Sequence, residues 1–502
     1  MLNEFKQDTI QDLIRKSRYP ETNIKTFISK AINDIKKELQ DKDKNIKITA
    51  TIKLIFLYIN YYEIEWASFT TLEVLSTSGT TGKLYGYLIA SLQIKNENDY
   101  LQLIPNQIKN DLKKENYNNI NSTLTFLNNV MNLPLACELL KNIESLLNLN
   151  NKLIRKKTII CLTKCCEKFA INNDFTYWED YYIKLLYLLN DDSKNNLIKN
   201  QGAEICIISS IQRMCYISPE HVINGFVELM NYFLKCDINW NLIKIIDIFN
   251  LLFKYEPKFT KKKEFIKILS EQLMKIKSKS VEIALVKLII TNFNPENNKN
   301  CIEITQASEE KLKSLLDSSD NNLLILSIKI LENLTLTKKN YITAVYKIVD
   351  NNNENPYIIK ECLKFLSDEK VIDKNNYKEI IEKIISVENI LQDSVINCIE
   401  KIFVKNNFAI LSNDKQNILW FIDIVFDIAY KQFTKANYDN ENKISNIIKL
   451  LIQNTNNINT EINNKCLEYL NKCLSNENQI KKNNTSDEVN FVIMSTSQEY
   501  YN

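Results

Sequence analysis

A segment near residue 80 has the composition of a phosphate-binding loop. It runs from Ser78 to Gly86, reads Ser-Gly-Thr-Thr-Gly-Lys in its first part, and places its lysine at position 83. Loops of this kind bind phosphate oxygens through backbone N–H groups, and a lysine adds a positive charge. One hypothesis is therefore an ATP-using enzyme in which Lys83 contacts the phosphates.

The rest of the chain argues against an enzyme built around this loop. Adenylate-forming enzymes such as acyl-CoA synthetases carry a similar loop, but they also need further glycine-bearing motifs and a mixed α/β sheet. Outside the segment the chain has only two glycines, Gly202 and Gly225. The segment also leads into Leu84–Leu92, whose pattern is helical. We therefore expect a loop between helices, whose glycines end one helix and admit the next, and we assign no catalytic residue.

Cysteine and histidine, which commonly bind transition metals, do not form a metal-site pattern. Zinc takes four ligands, usually in separated pairs. Here Cys161 and Cys165 are one helical turn apart, Cys166 follows directly, and His221 is the single histidine. A chain with a single imidazole also offers few possibilities for histidine-based acid–base catalysis. We expect buried, reduced thiols, no metal and no cofactor.

The scarcity of glycine and proline indicates which elements position these residues. The 502 residues include 5 glycines and 7 prolines, where average usage would give roughly 35 and 25. Sheets joined by tight turns need residues that tolerate positive φ. Helices joined by short asparagine- and aspartate-bearing loops need few glycines, because asparagine tolerates that conformation and caps helices. The composition therefore predicts an all-α protein.

Apolar residues recur at helical spacing along most of the chain, and the helices repeat. One sequence motif begins at Leu153. It consists of asparagine or aspartate, then an aliphatic pair, then aliphatic residues at regular spacing. It returns six times up to Val395, at intervals of 35 to 45 residues. Because HEAT and armadillo repeats have about 40–47 residues, we predict a HEAT/armadillo-like α-solenoid over residues 1–475 and a partly disordered tail over 476–502. The first predicted helices cover residues 5–18, 21–40, 46–60, 66–77, 83–94 and 98–114.

Charge and hydropathy limit the kinds of partner. The formal net charge is +3, which gives no overall attraction to nucleic acid or to an acidic membrane. The first ten residues lack the apolar core of a secretory signal, and no apolar run reaches the ~18–20 residues of a membrane span. We expect a cytoplasmic protein with reduced cysteines, no nucleic-acid partner, and membrane contact that is peripheral.

Eight segments, all of them in the first half of the chain, share their order and spacing with one known family. They are Leu13–Arg18, Ile32–Leu39, Lys53–Tyr58, Ile64–Ser76, Gly86–Ser91, Asn106–Leu112, Ile154–Lys157 and Asn239–Ile246. Together they resemble the trunk of the adaptin large subunits, and within that family the delta-adaptin group of the third-type adaptor complex most closely. The resemblance is strong over residues 8–270 and weak beyond them.

The resemblance implies a scaffold rather than an enzyme. A subunit of this family pairs with a beta-type adaptin, a medium subunit and a small subunit. An Arf-family GTPase recruits the complex to the cytoplasmic face of Golgi or endosomal membranes, where it sorts transmembrane cargo toward lysosomes or vacuoles. The family's large subunits also carry a longer trunk, a hinge and an ear domain; this sequence ends before a hinge or ear is reached, as either a reduced form or a fragment would. We therefore do not expect accessory proteins to be recruited through an ear.

A receptor for soluble cargo, importin-like or of another HEAT-repeat type, is the alternative from a different functional class. Such a receptor should be monomeric and stable alone. An adaptin should instead expose apolar patches when isolated, because obligate assemblies bury large interfaces, and it should co-purify with its other subunits.

Two sites can be carried over from the family residue by residue. In the adaptin of plasma-membrane coats, an arginine of the first helix holds the acidic residue of an acidic dileucine sorting signal, and Arg15 has that place here. Arginine offers a carboxylate a bidentate contact; the alternative is a surface ion pair with Asp12. The same relative binds phosphoinositide through a lysine run, of which this chain keeps only Lys47, with Lys42 and Lys44 nearby. That departure favours a solvated loop over a dedicated pocket.

Overall fold

Helices form all the regular secondary structure in the described part of the chain, which confirms the predicted all-α class. The computed structural model describes residues 9–18, 23–76, 79–93, 103–113, 116–190, 201–295, 298–334, 337–352, 355–388, 390–403, 415–433, 443 and 447. The chain divides after Phe259 into two compact units. The predicted tail, 476–502, and the end of the predicted trunk lie outside the described residues.

The helices of the first unit pack in two layers. Helices α3, α5, α7, α9, α11 and α13 contact one another in that order, and each also packs against the helix that precedes it in the chain. The bounds of the first unit's helices are α1 Ile10–Arg18, α2 Ile24–Leu39, α3 Lys44–Ile59, α4 Ser68–Leu75, α5 Thr80–Gln93, α6 Pro105–Lys113, α7 Tyr117–Val130, α8 Leu133–Ser145, α9 Lys152–Ile171, α10 Thr176–Asn190, α11 Gln201–Ile217, α12 Phe226–Lys235 and α13 Asn239–Tyr255.

The second unit repeats this arrangement. Helices α15, α17, α19 and α21 contact one another in succession, and α14, α16, α18 and α20 each pack against the helix that follows. The bounds of the second unit's helices are α14 Lys263–Lys275, α15 Lys279–Asn292, α16 Ile302–Leu316, α17 Asn321–Leu331, α18 Ile342–Asn351, α19 Pro356–Leu366, α20 Tyr377–Ser386, α21 Gln392–Phe403 and α22 Lys415–Phe433.

The predicted sequence repeat corresponds to the second helix of each pair. The repeated motif falls in the first turn of α9, α13, α15, α17, α19 and α21, and its copy at Leu197 lies outside the described residues. These helices lie between two neighbours of the same layer, so they bury side chains on most of their circumference. In α13, for example, Ile245, Ile246, Ile248 and Phe249 are all buried.

Asparagine and aspartate set many of the helix starts. The side chains of Asn23, Asp43, Asn116, Asn151 and Asn355 each accept a hydrogen bond from a backbone N–H in the first turn of the helix that follows. Such a cap satisfies an N–H group that has no partner within the helix. This explains how a chain with so little glycine still starts its helices at defined residues.

Candidate binding surfaces

The segment that resembles a phosphate loop is mostly helical. Helix α5 begins at Thr80, so Gly82 and Gly86 lie inside the helix and are buried. The expected loop between helices therefore extends only to Gly79. A Cβ atom at Gly86 would lie 2.9 Å from the Cα of Leu75, so the glycine permits close packing of α5 on α4. From Lys83 onward the backbone N–H groups are bonded within the helix, beginning with that of Lys83 to the carbonyl of Gly79 at 3.1 Å, so this part of the segment does not present the free N–H groups that bind phosphate.

Lys83 is buried and paired inside the protein. Its Nζ atom lies 2.8 Å from Oδ2 of Asp111, which also accepts hydrogen bonds from the hydroxyl of Tyr87 and the amide of Gln107, each at 2.9 Å. Burial alone would raise the pKa of Asp111, but the three hydrogen bonds and the charge of Lys83 outweigh it, so that the pKa is lowered. Lys83 therefore joins α5 to α6 and has no access to a nucleotide.

The three cysteines of the predicted cluster are buried. Cys161, Cys165 and Cys166 lie in the core on α9. A hydrogen bond with Cys165 and burial raise the pKa of Cys161, and burial raises the pKa of Cys166. The histidine, His221, stacks on Phe175 with ring centroids 4.3 Å apart. Within the described residues, no three His, Cys, Asp or Glu side chains are placed to hold a metal ion.

Arg15 presents an open guanidinium on α1. Its side chain is 73% exposed, and its Nη2 atom lies 3.6 Å from Oδ1 of Asp12. The other oxygen of Asp12 accepts hydrogen bonds from the backbone N–H and hydroxyl of Thr9, which lower the pKa of Asp12. The ion pair between Arg15 and Asp12, which was the alternative to a cargo contact, is therefore present, but its charged atoms are far apart and exposed to solvent. It leaves most of the guanidinium accessible to a carboxylate from outside.

The three lysines considered for phosphoinositide are accompanied by carboxylates. The Nζ atom of Lys47 lies 2.7 Å from Oε2 of Glu73, and the Lys47 side chain is only 19% exposed. Lys42 and Lys44 are exposed on either side of Asp43, which caps α3 through the N–H of Asn45. Much of the positive charge is balanced locally, and Lys44 and Lys47 lie in the first turn of α3 rather than in the expected loop.

An apolar surface spans the end of α3 and the outer face of α5. Leu84 and Leu88 are exposed one turn apart on α5, and Tyr58, Ile59 and Tyr61 are exposed at the end of α3. We call these five residues the α3–α5 surface. All of them except Leu84 line an open groove of about 690 Å³. Contiguous exposed apolar residues of this kind mark partner-binding sites on soluble proteins.

Tyr61 adopts a backbone conformation that is unusual for a bulky residue. The φ angle of Tyr61 is 65°. Tyr61 follows the end of α3 and donates its backbone N–H to the carbonyl of Tyr58, while the N–H of Tyr62 is donated to the carbonyl of Leu57. Glycine is usual in this helix-ending motif, with asparagine next, and Asn173 has the same place after α9. Tyr61 is 97% exposed, so the strained conformation gains no internal packing from the ring.

Sequence reasoning did not find the α3–α5 surface. Helix α5 also buries Tyr87, Ile89 and Ala90, so it is apolar on most of its circumference, and periodicity alone cannot tell which side remains uncovered. The signal in the sequence was the spacing of Leu84 and Leu88 opposite the buried positions. Among the described helices, none is long and apolar enough to cross a membrane.

Comparison with known proteins places the chain in one family. Residues 25–484 match the family model described as Adaptin N terminal region, a family that is not known for enzymes. The chain is similar to the AP-3 complex subunit delta of Schizosaccharomyces pombe, with 26% identity over 384 residues that cover 76% of this chain and 43% of the relative. The chain spans less than half the length of the first relatives it matches.

Solved structures confirm the HEAT-type α-solenoid fold. A homology model of the full-length AP-3 complex in an intermediate open conformation matches with a TM-score of 0.53 and 20% identity, covering 90% of this chain and 85% of that chain. Yeast importin-beta (Kap95p) matches with a TM-score of 0.58 and 11% identity, covering 96% and 62%. At these identities both show the fold alone. Because the family model covers most of the sequence, the chain belongs to the adaptin family, as the order of its segments predicted.

Proposed function

We propose that this chain is a delta-type large subunit of an adaptor complex and that it acts as a binding scaffold without catalysis. The observation that carries the proposal is the adaptin match over residues 25–484, together with relatives that are AP-3 delta subunits. The buried position of Lys83 supports it, because the residue most suggestive of an enzyme is taken up in the core.

The proposed partners follow from the family. They are a beta-type adaptin, a medium subunit and a small subunit, with an Arf-family GTPase that recruits the complex to membranes. The proposed location is the cytoplasmic face of Golgi or endosomal membranes, where the complex would sort transmembrane cargo toward lysosomes or vacuoles. The exposed α3–α5 surface supports stable assembly, because obligate interfaces are large and apolar.

Affinity purification of the tagged chain from its own cells tests the assembly. We expect a beta-type adaptin and a medium and a small chain in near-equal amounts. Leu88→Asp with Tyr61→Asp should reduce the amount of at least one partner, because the charges would have to be desolvated in an apolar interface. Tyr357→Asp, at an exposed site in the second unit, is the matched control.

Recovery of the chain alone, or with a Ran-like GTPase and soluble cargo, would contradict the adaptor proposal and favour the importin-like alternative. The likeness to importin-beta is one of fold, at 11% identity.

For cargo we propose that Arg15 contacts the acidic residue of an acidic dileucine signal. Hydrogen bonds to charged groups are worth about 1.5–3 kcal/mol, so Arg15→Glu should weaken binding of such a peptide to the assembled complex by at least tenfold. Neutralising the acidic residue of the peptide should remove most of that difference. Arg18→Glu, on the same helix, is the control for net charge.

Equal losses for Arg15→Glu and Arg18→Glu would show general charge attraction, and normal binding of Arg15→Glu would show that the site lies elsewhere. The phosphoinositide contact of Lys42, Lys44 and Lys47 stays a prediction. It is tested by replacing Lys42 and Lys44 with glutamine and measuring binding to vesicles that contain phosphoinositide.

A further inference from the structure

The segment Lys261–Lys279 concentrates the positive charge of the protein. It holds seven lysines and two glutamates, a net charge of +5, whereas the whole chain has +3. The other 483 residues together therefore carry −2. The near-neutral total hides a strongly basic segment in the second unit, and that segment comprises helix α14 and its flanking residues.

The fold turns part of this charge outward on one face of α14. Ile266, Leu269 and Leu273 are buried, where α14 packs on α15 and α16. At 100° per residue, Lys263, Lys267 and Met274 fall within 40° of one another on a different side of the helix, and all three are exposed. Two lysines and an exposed methionine thus form one stripe.

Four lysines on and beside α14 have no carboxylate partner among the residues that the structure describes, whereas Lys275 and Lys279 of the same segment pair with Glu271 and Glu282. Within the described part of the chain, no carboxylate oxygen lies within 4 Å of the Nζ atoms of Lys261, Lys263, Lys267 or Lys277. Ion pairs between neighbouring helices are common elsewhere in this unit; the Nζ atom of Lys339, for example, lies 2.7 Å from a carboxylate oxygen of the next helix pair. The charge of the α14 stripe is therefore available to an external partner.

We propose that the exposed lysines on α14 and directly beside it, Lys261, Lys263, Lys267 and Lys277, together with Met274, bind the surface of an anionic membrane. Lysines near acidic lipid headgroups attract them as point charges, without the shaped pocket that a single ligand needs. Met274 is 71% exposed and offers an apolar side chain to the lipid interface. The inference rests on the proposed function in one respect, since a coat subunit works at a membrane.

A nucleic acid is the competing polyanion, and the surface fits it less well. Proteins that bind single strands add aromatic rings for stacking, and those that read duplex grooves rely on arginine and bidentate contacts. The stripe contains neither. Phe265, which lies on the same helix, is half-buried, and the Nζ atom of Lys262 lies 5.4 Å from the centroid of its ring.

Vesicle binding by the full chain tests the inference. The probe is vesicles of phosphatidylcholine with phosphatidylserine and a phosphoinositide, compared with phosphatidylcholine alone. Each lysine beside an acidic membrane contributes roughly a fivefold gain in affinity, so the triple change Lys261→Gln, Lys263→Gln and Lys267→Gln should weaken binding about 100-fold. Added salt should also weaken the binding of the unmodified protein to anionic vesicles.

The matched control removes the same charge from exposed lysines elsewhere in the unit, through Lys313→Gln, Lys347→Gln and Lys360→Gln. We expect it to bind within a fewfold of the unmodified protein. Equal losses for the two triple variants, or equal binding to neutral and anionic vesicles, would overturn the inference. So would a loss of binding to a DNA or RNA oligonucleotide with vesicle binding unchanged.

This outcome is separate from that of the proposed function. If the triple variant keeps its adaptor partners and loses vesicles, both proposals stand. If the unmodified chain retains adaptor partners but its vesicle binding does not depend on the stripe, the inference fails and the adaptor function stands.

Discussion

Replacing Lys83 with alanine should destabilise the contact between α5 and α6 far more than removal of an exposed lysine does. Lys83 and Asp111 are both buried, with their charged atoms 2.8 Å apart. In Lys83→Ala, Asp111 loses its hydrogen bond from a buried ammonium group and keeps those from the uncharged donors Tyr87 and Gln107. A buried carboxylate from which a nearby positive charge is removed is less stable in its ionised form.

The expected magnitude follows from this burial. Breaking a buried ion pair by removing one partner costs about 3–5 kcal/mol, whereas an exposed pair is worth about 0–1 kcal/mol. Lys109→Ala provides the matched control, because Lys109 pairs with Glu138 at 2.7 Å between neighbouring helices, and both side chains are partly exposed. The two lysines thus differ chiefly in burial.

The dependence on pH gives the prediction a second, independent test. The pKa of Asp111 is lowered in the folded protein, so its ion pair stabilises the fold above the unfolded carboxyl value of about 3.9. That stabilisation disappears as the pH falls through the folded pKa. The difference between the unmodified protein and Lys83→Ala should therefore shrink below about pH 4.

Hydrogen exchange measured by mass spectrometry reports the effect locally. A loss of 3–5 kcal/mol should speed exchange of the amides in α5 and α6 by roughly two to four powers of ten, with little change for Lys109→Ala. Equal effects of the two substitutions would refute the reasoning from burial. ATP binding at millimolar concentration, abolished by Lys83→Ala, would instead restore the enzyme hypothesis.

Three further predictions concern packing, backbone strain and thiol exposure. Gly86→Ala should lower the melting temperature, because its Cβ atom would meet the Leu75 backbone at 2.9 Å and overpacking costs about 1–3 kcal/mol; Gly202→Ala, which meets only the movable end of a lysine, should not. Tyr61→Gly should raise the melting temperature by relieving a strain of about 1 kcal/mol, while reducing partner retention; a lower value would refute the strain. A thiol reagent should label Cys137, which is exposed, well before the buried cysteines of the core; simultaneous labelling of the native protein would contradict that burial.

The helical character of the protein could be predicted from composition and local pattern. Few glycines and prolines exclude most turns of a sheet, and asparagine and aspartate cap helices through atoms only a few residues away. These are short-range interactions, so they can be identified in the sequence. The helical repeat could be predicted for a related reason. Each helix that lies between two neighbours must be apolar on most of its surface, and this apolar pattern recurs in the sequence.

The sequence could not place the binding surfaces, because those depend on which helices become neighbours. Arg15 was predicted as a site residue from a family resemblance, and the structure adds that its guanidinium is exposed to solvent. The pairing of Lys47 with Glu73, and the exposure of Leu84 and Leu88, were not predictable from spacing.

Taken by itself, the amino-acid sequence determined an all-helical repeat protein of the adaptin family. Only the tertiary structure decided which charged side chains are paired in the core and which are exposed to solvent. Lys83 meets Asp111, 28 residues away, and is buried, whereas Lys263 and Lys267 lie on an open face of α14. Lysines of the same type differ in this way because packing between distant segments determines which ammonium group meets a carboxylate and which remains in water.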